Sequence, residues 1–246
     1  MKVVIFFGLL AVMQPAFAAK VNDSVDDAIP ETFIAACELS FPTSEVEVSF
    51  RDKPVKESQK ESIRSLTALA RKYNAAHSSE HHVLGLTTSE LSWEIGSEFK
   101  SLPLGSPDIH CARPKIKIEL EVNYHVVHIA SELPPQSCEY NFVHDHEYEH
   151  VKINKDNMQR YTKEIVADFK KHFFNKILYG SSEKLNREMQ RAMSNEWLPF
   201  IREVTAKMEA EGIKRHQAID TPEEYAKGST VCSGKISAII RASGSK

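Results

Sequence analysis

The residues whose types and spacing could do chemistry lie in Asn141-Phe142-Val143-His144-Asp145-His146-Glu147-Tyr148-Glu149-His150-Val151, where His146 to His150 reads H-E-x-x-H. Residues four apart project from one face of a helix, so His146 and His150 can close on a single cation. Glu147, one step around, can reach a water on the open side of that cation. Two neutral imidazoles, a third protein ligand and a water make a tetrahedral set, and zinc is the ion it suits. The chemistry is metal-assisted hydrolysis, with Glu147 as general base passing a proton on to the leaving group. The chain has 11 His in 246 residues, so such a pentapeptide arises by accident on the order of a few per cent of the time. A solvated His-rich helix face is the plainer alternative.

The elements around the motif must hold it in place. No Gly or Pro interrupts Tyr140 to Leu178, which predicts one long helix as the host. Ahead of it, Ile116, Ile118, Leu120, Val122, Tyr124 and Val126 fall on every even position, predicting a long antiparallel strand with one face in water. That parity puts His125 on the polar face and His128 on the apolar one, where a satisfied core histidine is expected. Ser44–Phe50 alternates as a second strand, Arg51–Pro54 turns the chain, and Val55–Ala76 reads as a helix. His81–Glu94 reads as one strand or a pair bent at Gly85, and His77, His81 and His82 as loop residues. Beyond the long helix, Tyr179–Ser182 is a stop and a new N-cap. Ser182–Glu211 then forms a second helix split near Pro199 and ended by Gly212, running antiparallel to the first. Its row Leu185, Met189, Met193, Trp197 and Ile201 is a core stripe. Thr221-Pro222 opens a further helix.

At the N-terminus, Lys2 precedes the apolar run Val3–Met13, then Gln14-Pro15 and Ala16-Phe17-Ala18. This reads as a signal peptide over residues 1–18, with a mobile leader over 19–30. The run is too short to span a membrane. The localisation expected is therefore export, periplasmic or secreted, with no membrane partner after cleavage. Charges are nearly balanced, 31 basic against 34 acidic, without a basic cluster, which argues against nucleic acid as a partner. The oligomeric state is left open. Cys37, Cys111, Cys138 and Cys232 are an even set without C-x-x-C. In an oxidising compartment they predict two disulfides, in any of three pairings. Cys138, eight residues before His146, could fix the entry to the host helix.

An exported chain, a β-rich N-terminal half, Cys138 just upstream and His146-Glu147-Tyr148-Glu149-His150-Val151 running into a long helix resemble the bacterial secreted zinc-dependent protease family, itself a domain of unknown function. The layout of residues 40–225 fits, and the motif is the specific part. The resemblance implies an α+β, zincin-like fold: an N-terminal antiparallel sheet with one helix, the H-E-x-x-H helix and a C-terminal helical hairpin, in a single domain over 31–246. It implies zinc on His146 and His150, Glu147 as the catalytic glutamate, peptide or protein substrates, and a strand near the site that offers its edge to an extended substrate. The metzincin extension would make Asp156 the third ligand, but Ile153 stands where that pattern has glycine, and a continuing helix turns Asp156 away. Candidates from the C-terminal half are Glu183, Glu188, Glu196, His216, Asp220, Glu223 and Glu224, with His216 favoured. The other reading is a periplasmic metal-binding or interaction protein on the same scaffold, without catalysis, using His144, His110 or His125.

Overall fold

The computed structural model describes residues 2–7, 30–41, 45–73, 82–103, 109–172 and 177–244. Most of the signal peptide read over 1–18 and of the leader read over 19–30 lies outside them, as do His77 and His81. The part of the leading segment that is described, β1 (Lys2–Phe7), pairs in parallel with Leu86–Leu91.

Helix α1 (Glu31–Ser40) is followed by β2 (Glu45–Asp52), β3 (Val55–Ser58) and α2 (Ile63–Tyr73). Two long strands, β4 (Gly85–Pro103) and β5 (His110–Ile129), pair antiparallel along their whole length. The other edge of β5 is shared along its length: β6 (Leu178–Gly180) pairs with its start, β2 with Lys115–Val122 and β3 with His125–His128. The sheet is therefore mixed. The β4–β5 ribbon meets the antiparallel expectation, while β2 and β3 join in parallel because the crossover through α2 and β4 returns the chain in the same direction. Two N-terminal helices stand where one was expected: α1 was not foreseen, and the helix read over Val55–Ala76 is shorter, since Val55–Ser58 is a strand and α2 begins only at Ile63.

The host helix α3 (Cys138–His172) lies across the sheet, opened by Ser137, whose Oγ accepts from the Tyr140 N–H. Helix α4 (Ser182–Ala192) is capped by Ser181; it passes through one π-turn at Met193–Trp197 into α5 (Leu198–Ile219), with Pro199 in the first turn of α5. Thus Pro199 does mark a break. Gly212 does not end the helix: it is buried inside α5, which runs on to Ile219. Helix α6 (Pro222–Thr230), capped by Thr221, leads through a short 3-10 turn to α7 (Lys235–Gly244).

Disulfides join Cys37 to Cys111 and Cys138 to Cys232. The second ties the first residue of α3 to the turn between α6 and α7. Both fit an oxidising, extracytoplasmic environment. No helix among the described residues is long and apolar enough to cross a membrane.

Candidate metal centre

Along α3 the core-facing row is Val143, Glu147, His150, Asn154, Met158, Tyr161, Ile165 and Phe169, all buried. Three polar residues thus interrupt an apolar stripe at helical spacing. Glu147 and Asn154 can be buried because the sheet answers them, and His150 because α5 does. One face of β4 presents Gly85, Thr87 and Ser89 opposite Ile129, Val127 and His125 of β5. Thr87 bonds to Glu147 and Ser89 to Asn154.

A β-bulge makes this face. Between Glu90 and Leu91 the register shifts, Glu90 pairing with Tyr124 and Leu91 with Val122, so Asn123 is an extra residue in β5. From Lys115 to Val122 the buried positions are even; beyond the bulge they are odd, at His125, Val127 and Ile129. One inserted residue exchanges the two faces of a strand. The parity reading of His125 and His128 is corrected accordingly. His125 lies fully inside, against Ser89, and His128 is partly exposed, with Nδ1 3.3 Å from Glu61.

At the open end of this layer His146 and His150 converge with Asp220, the residue at the C-terminal end of α5. His146 Nε2 lies 3.1 Å from His150 Nε2 and 3.0 Å from Asp220 Oδ1, and His150 Nε2 lies 3.2 Å from the same oxygen. Ligands at zinc bond lengths in a tetrahedral set stand about 3.3 Å apart. The triangle is therefore the size that one such ion needs. Burial first, then the neighbouring His150, depress the His146 imidazolium to about 2, which keeps the ring neutral and its lone pair available.

Glu147 is fully buried. Its Oε2 accepts a 2.8 Å hydrogen bond from Thr87 Oγ1, which also reaches the Glu147 carbonyl at 3.0 Å. Burial, only partly opposed by His150 and the Thr87 hydroxyl, raises its carboxyl to about 7. The space it occupies is left by Gly85, where a Cβ would come within 2.5 Å of Glu147 Oε1 and 2.6 Å of Val143 Cγ1. Gly85 is thus a close-approach glycine at the first residue of β4, directly after a bend at Leu84. Gly85→Ala is expected to displace Glu147 while leaving His146, His150 and Asp220 in place. Metal content should be retained and hydrolysis should fall at least tenfold, readable by assaying both on the same preparation.

The other candidates lie elsewhere. His216, favoured as third ligand, sits behind the triangle, its Nδ1 3.0 Å from His150 Nδ1. The choice missed because α5 continues past Gly212, placing His216 and Asp220 four apart on one helical face. That spacing, mirroring His146 and His150, was the available signal for Asp220. Asp156 stands 3.7 Å from Arg215 on the exposed side of α3. Glu223 is exposed in the first turn of α6, and Glu188 is half-buried on α4. His144 faces Glu57 at 3.3 Å, and the same carboxylate accepts from Tyr148. His110 belongs to the far end of β5.

A cavity of about 220 Å³ opens beside His146 and Asp220, walled mainly by Leu84, Phe142, Val143, Ile236 and Ile240. Tyr225 also lines it. Burial, then the carboxylates of Asp220 and Glu147, push its hydroxyl well above the usual tyrosine range. Compared with protein-family models, curated proteins and solved structures, the chain matches none.

Proposed function

We propose that this chain is an exported zinc-dependent peptidase of the H-E-x-x-H kind. The observation that carries the reading is the triangle of His146 Nε2, His150 Nε2 and Asp220 Oδ1, with edges of 3.0 to 3.2 Å, built directly beside a buried glutamate. Two imidazoles and one carboxylate are a donor set that zinc accepts with a fourth position open. When bound, zinc would polarise a carbonyl and lower the pKa of a water. The chain supplies the rest. Glu147, steadied by Thr87, takes a proton from the attacking water and delivers it to the leaving amine nitrogen. Tyr225, kept protonated, donates to the oxygen on which negative charge develops. Likeness to the bacterial secreted zinc-dependent protease family rests on the motif and its setting and forms part of this proposal.

Two features support a peptide substrate. The β4 edge over Leu86–Leu91 accepts an extended segment, as its pairing with Lys2–Phe7 illustrates. The apolar cavity next to the metal ligands suits a bulky hydrophobic side chain near the scissile bond. Purified protein is expected to carry about one equivalent of zinc and to cleave an unfolded polypeptide in a chelator-sensitive manner. In peptides that differ at a single position, Leu or Phe should be cleaved in preference to Asp. Absence of tightly bound metal would remove the proposal. The complete burial of Glu147 favours a second reading, a metal-binding or interaction protein without turnover, in which zinc is held but no peptide is cut.

A further inference from the structure

We propose that Asp52 is a remote positioning residue for the metal ligand His150, acting through a file of buried side chains. The inference rests on the metal-centre reading above and extends it to residues on three strands. From the ligand outward, His150 Nδ1 lies 3.0 Å from His216 Nδ1, and His216 Nε2 lies 2.9 Å from Asn154 Oδ1. Asn154 Nδ2 donates to Ser89 Oγ at 3.0 Å, and Ser89 Oγ is 2.7 Å from His125 Nδ1. His125 Nε2 makes no well-aligned hydrogen bond, and Asp52 Oδ1 stands 3.4 Å from it at the end of β2. Lys155 pairs with the other Asp52 oxygen at 2.8 Å.

The direction of every proton in this file follows from its outer end. A carboxylate only accepts, so His125 must carry its hydrogen on Nε2 and turn the bare Nδ1 to Ser89. The Ser89 hydroxyl therefore donates to Nδ1 and accepts from the Asn154 amide. Asn154 Oδ1 then takes the Nε2 hydrogen of His216, whose bare Nδ1 takes the Nδ1 hydrogen of His150. That leaves the His150 Nε2 lone pair facing His146 and Asp220. Run the other way, with the Asn154 amide turned over, the file would set a bare His125 nitrogen against a carboxylate and put a hydrogen on His150 Nε2, where the lone pair for a metal is needed. Ser89, His125, Asn154, His150 and His216 are each at most 5% exposed, so water cannot substitute for a missing member. The file fixes the tautomer and tilt of a ligand ring from a carboxylate with four side chains between them.

Three measurements on the purified protein test this: the zinc dissociation constant by competition with a chromophoric chelator, ring nitrogen-15 spectra of metal-free protein, and the thermal midpoint of metal-free protein. Ser89→Ala is expected to weaken zinc binding about 10- to 100-fold, to convert His150 from the pure Nδ1–H form to a mixture, and to lower the midpoint, because Asn154 Nδ2 and His125 Nδ1 lose their buried partner. Asp52→Asn should weaken binding in the wild-type background and have no further effect in Ser89→Ala, since the file is already cut. Unchanged zinc affinity in Ser89→Ala, or additive losses in the double variant, would overturn the proposal. If the wild type binds no zinc, the metal reading falls and the spectra decide: an Nδ1–H His150 that becomes mixed in Ser89→Ala supports the file, and the same form in both refutes it.

Discussion

Glu147→Gln is expected to abolish turnover while leaving zinc bound. The side chain is isosteric, and the Thr87 hydroxyl can still donate to the amide oxygen, so the packing against Gly85 and Val143 is kept. What disappears is the only group beside His146 and His150 on α3 that can take a proton from water. General-base catalysis contributes about 10²- to 10⁴-fold, and kcat should fall by that factor with the metal stoichiometry unchanged. Zinc retained with undiminished hydrolysis would take Glu147 out of the mechanism. Zinc retained with no hydrolysis in either form would favour the binding-protein reading.

Acid is expected to unfold the metal-free protein well before ordinary carboxylate titration is complete. His146 is held down to about 2 and His216 to about 3, both chiefly by burial, and His125 is lowered by the same cause. In the unfolded chain all three protonate near pH 6.5. Below that pH the unfolded state binds two protons, on His146 and His216, that the native state refuses, and His125 acts in the same direction, so stability present above pH 6.5 is lost as pH falls. Glu147 works in the opposite sense. Raised to about 7, it carries a proton in the native state that the unfolded chain releases above about pH 4.5. Between roughly pH 6.5 and 4.5 the net excess on the unfolded chain from His146, His216 and Glu147 is one proton, and stability drops by about 1.4 kcal/mol per pH unit, about 2.7 kcal/mol across the window. That is a large part of a typical domain's total stability. Urea midpoints of chelator-treated protein at pH 7 and pH 5 measure it; equal midpoints would show that these imidazoles are not buried neutral.

The parts of the fold that could be read from the residues were those set by local pattern. Uninterrupted helix formers foretold α3 through the motif and beyond, and alternation foretold the first half of β5 and most of β2. Ser181 and Thr221 stand as N-caps where their types suggested. What escaped was set by distant contacts. Gly212 looked like a terminator because an isolated helix is weakened there by about 1 kcal/mol. Buried within α5, it is carried through by its neighbours, and His216 and Asp220 move with it onto one face. The pairing of Cys138 with Cys232 likewise depends on where α6 and α7 pack, which no spacing encodes. The motif located two arms of the triangle of His146, His150 and Asp220, and the third lay in a list of seven candidates that only the path of α5 could order.

The extra residue at Asn123 divides one ribbon into two unlike materials. On the near side of it, Ile116 to Val122 meet the oily half of α3; on the far side, His125 and its partners meet the half that holds the triangle. A two-residue periodicity imposed from end to end would therefore invert inside and outside for everything after position 123.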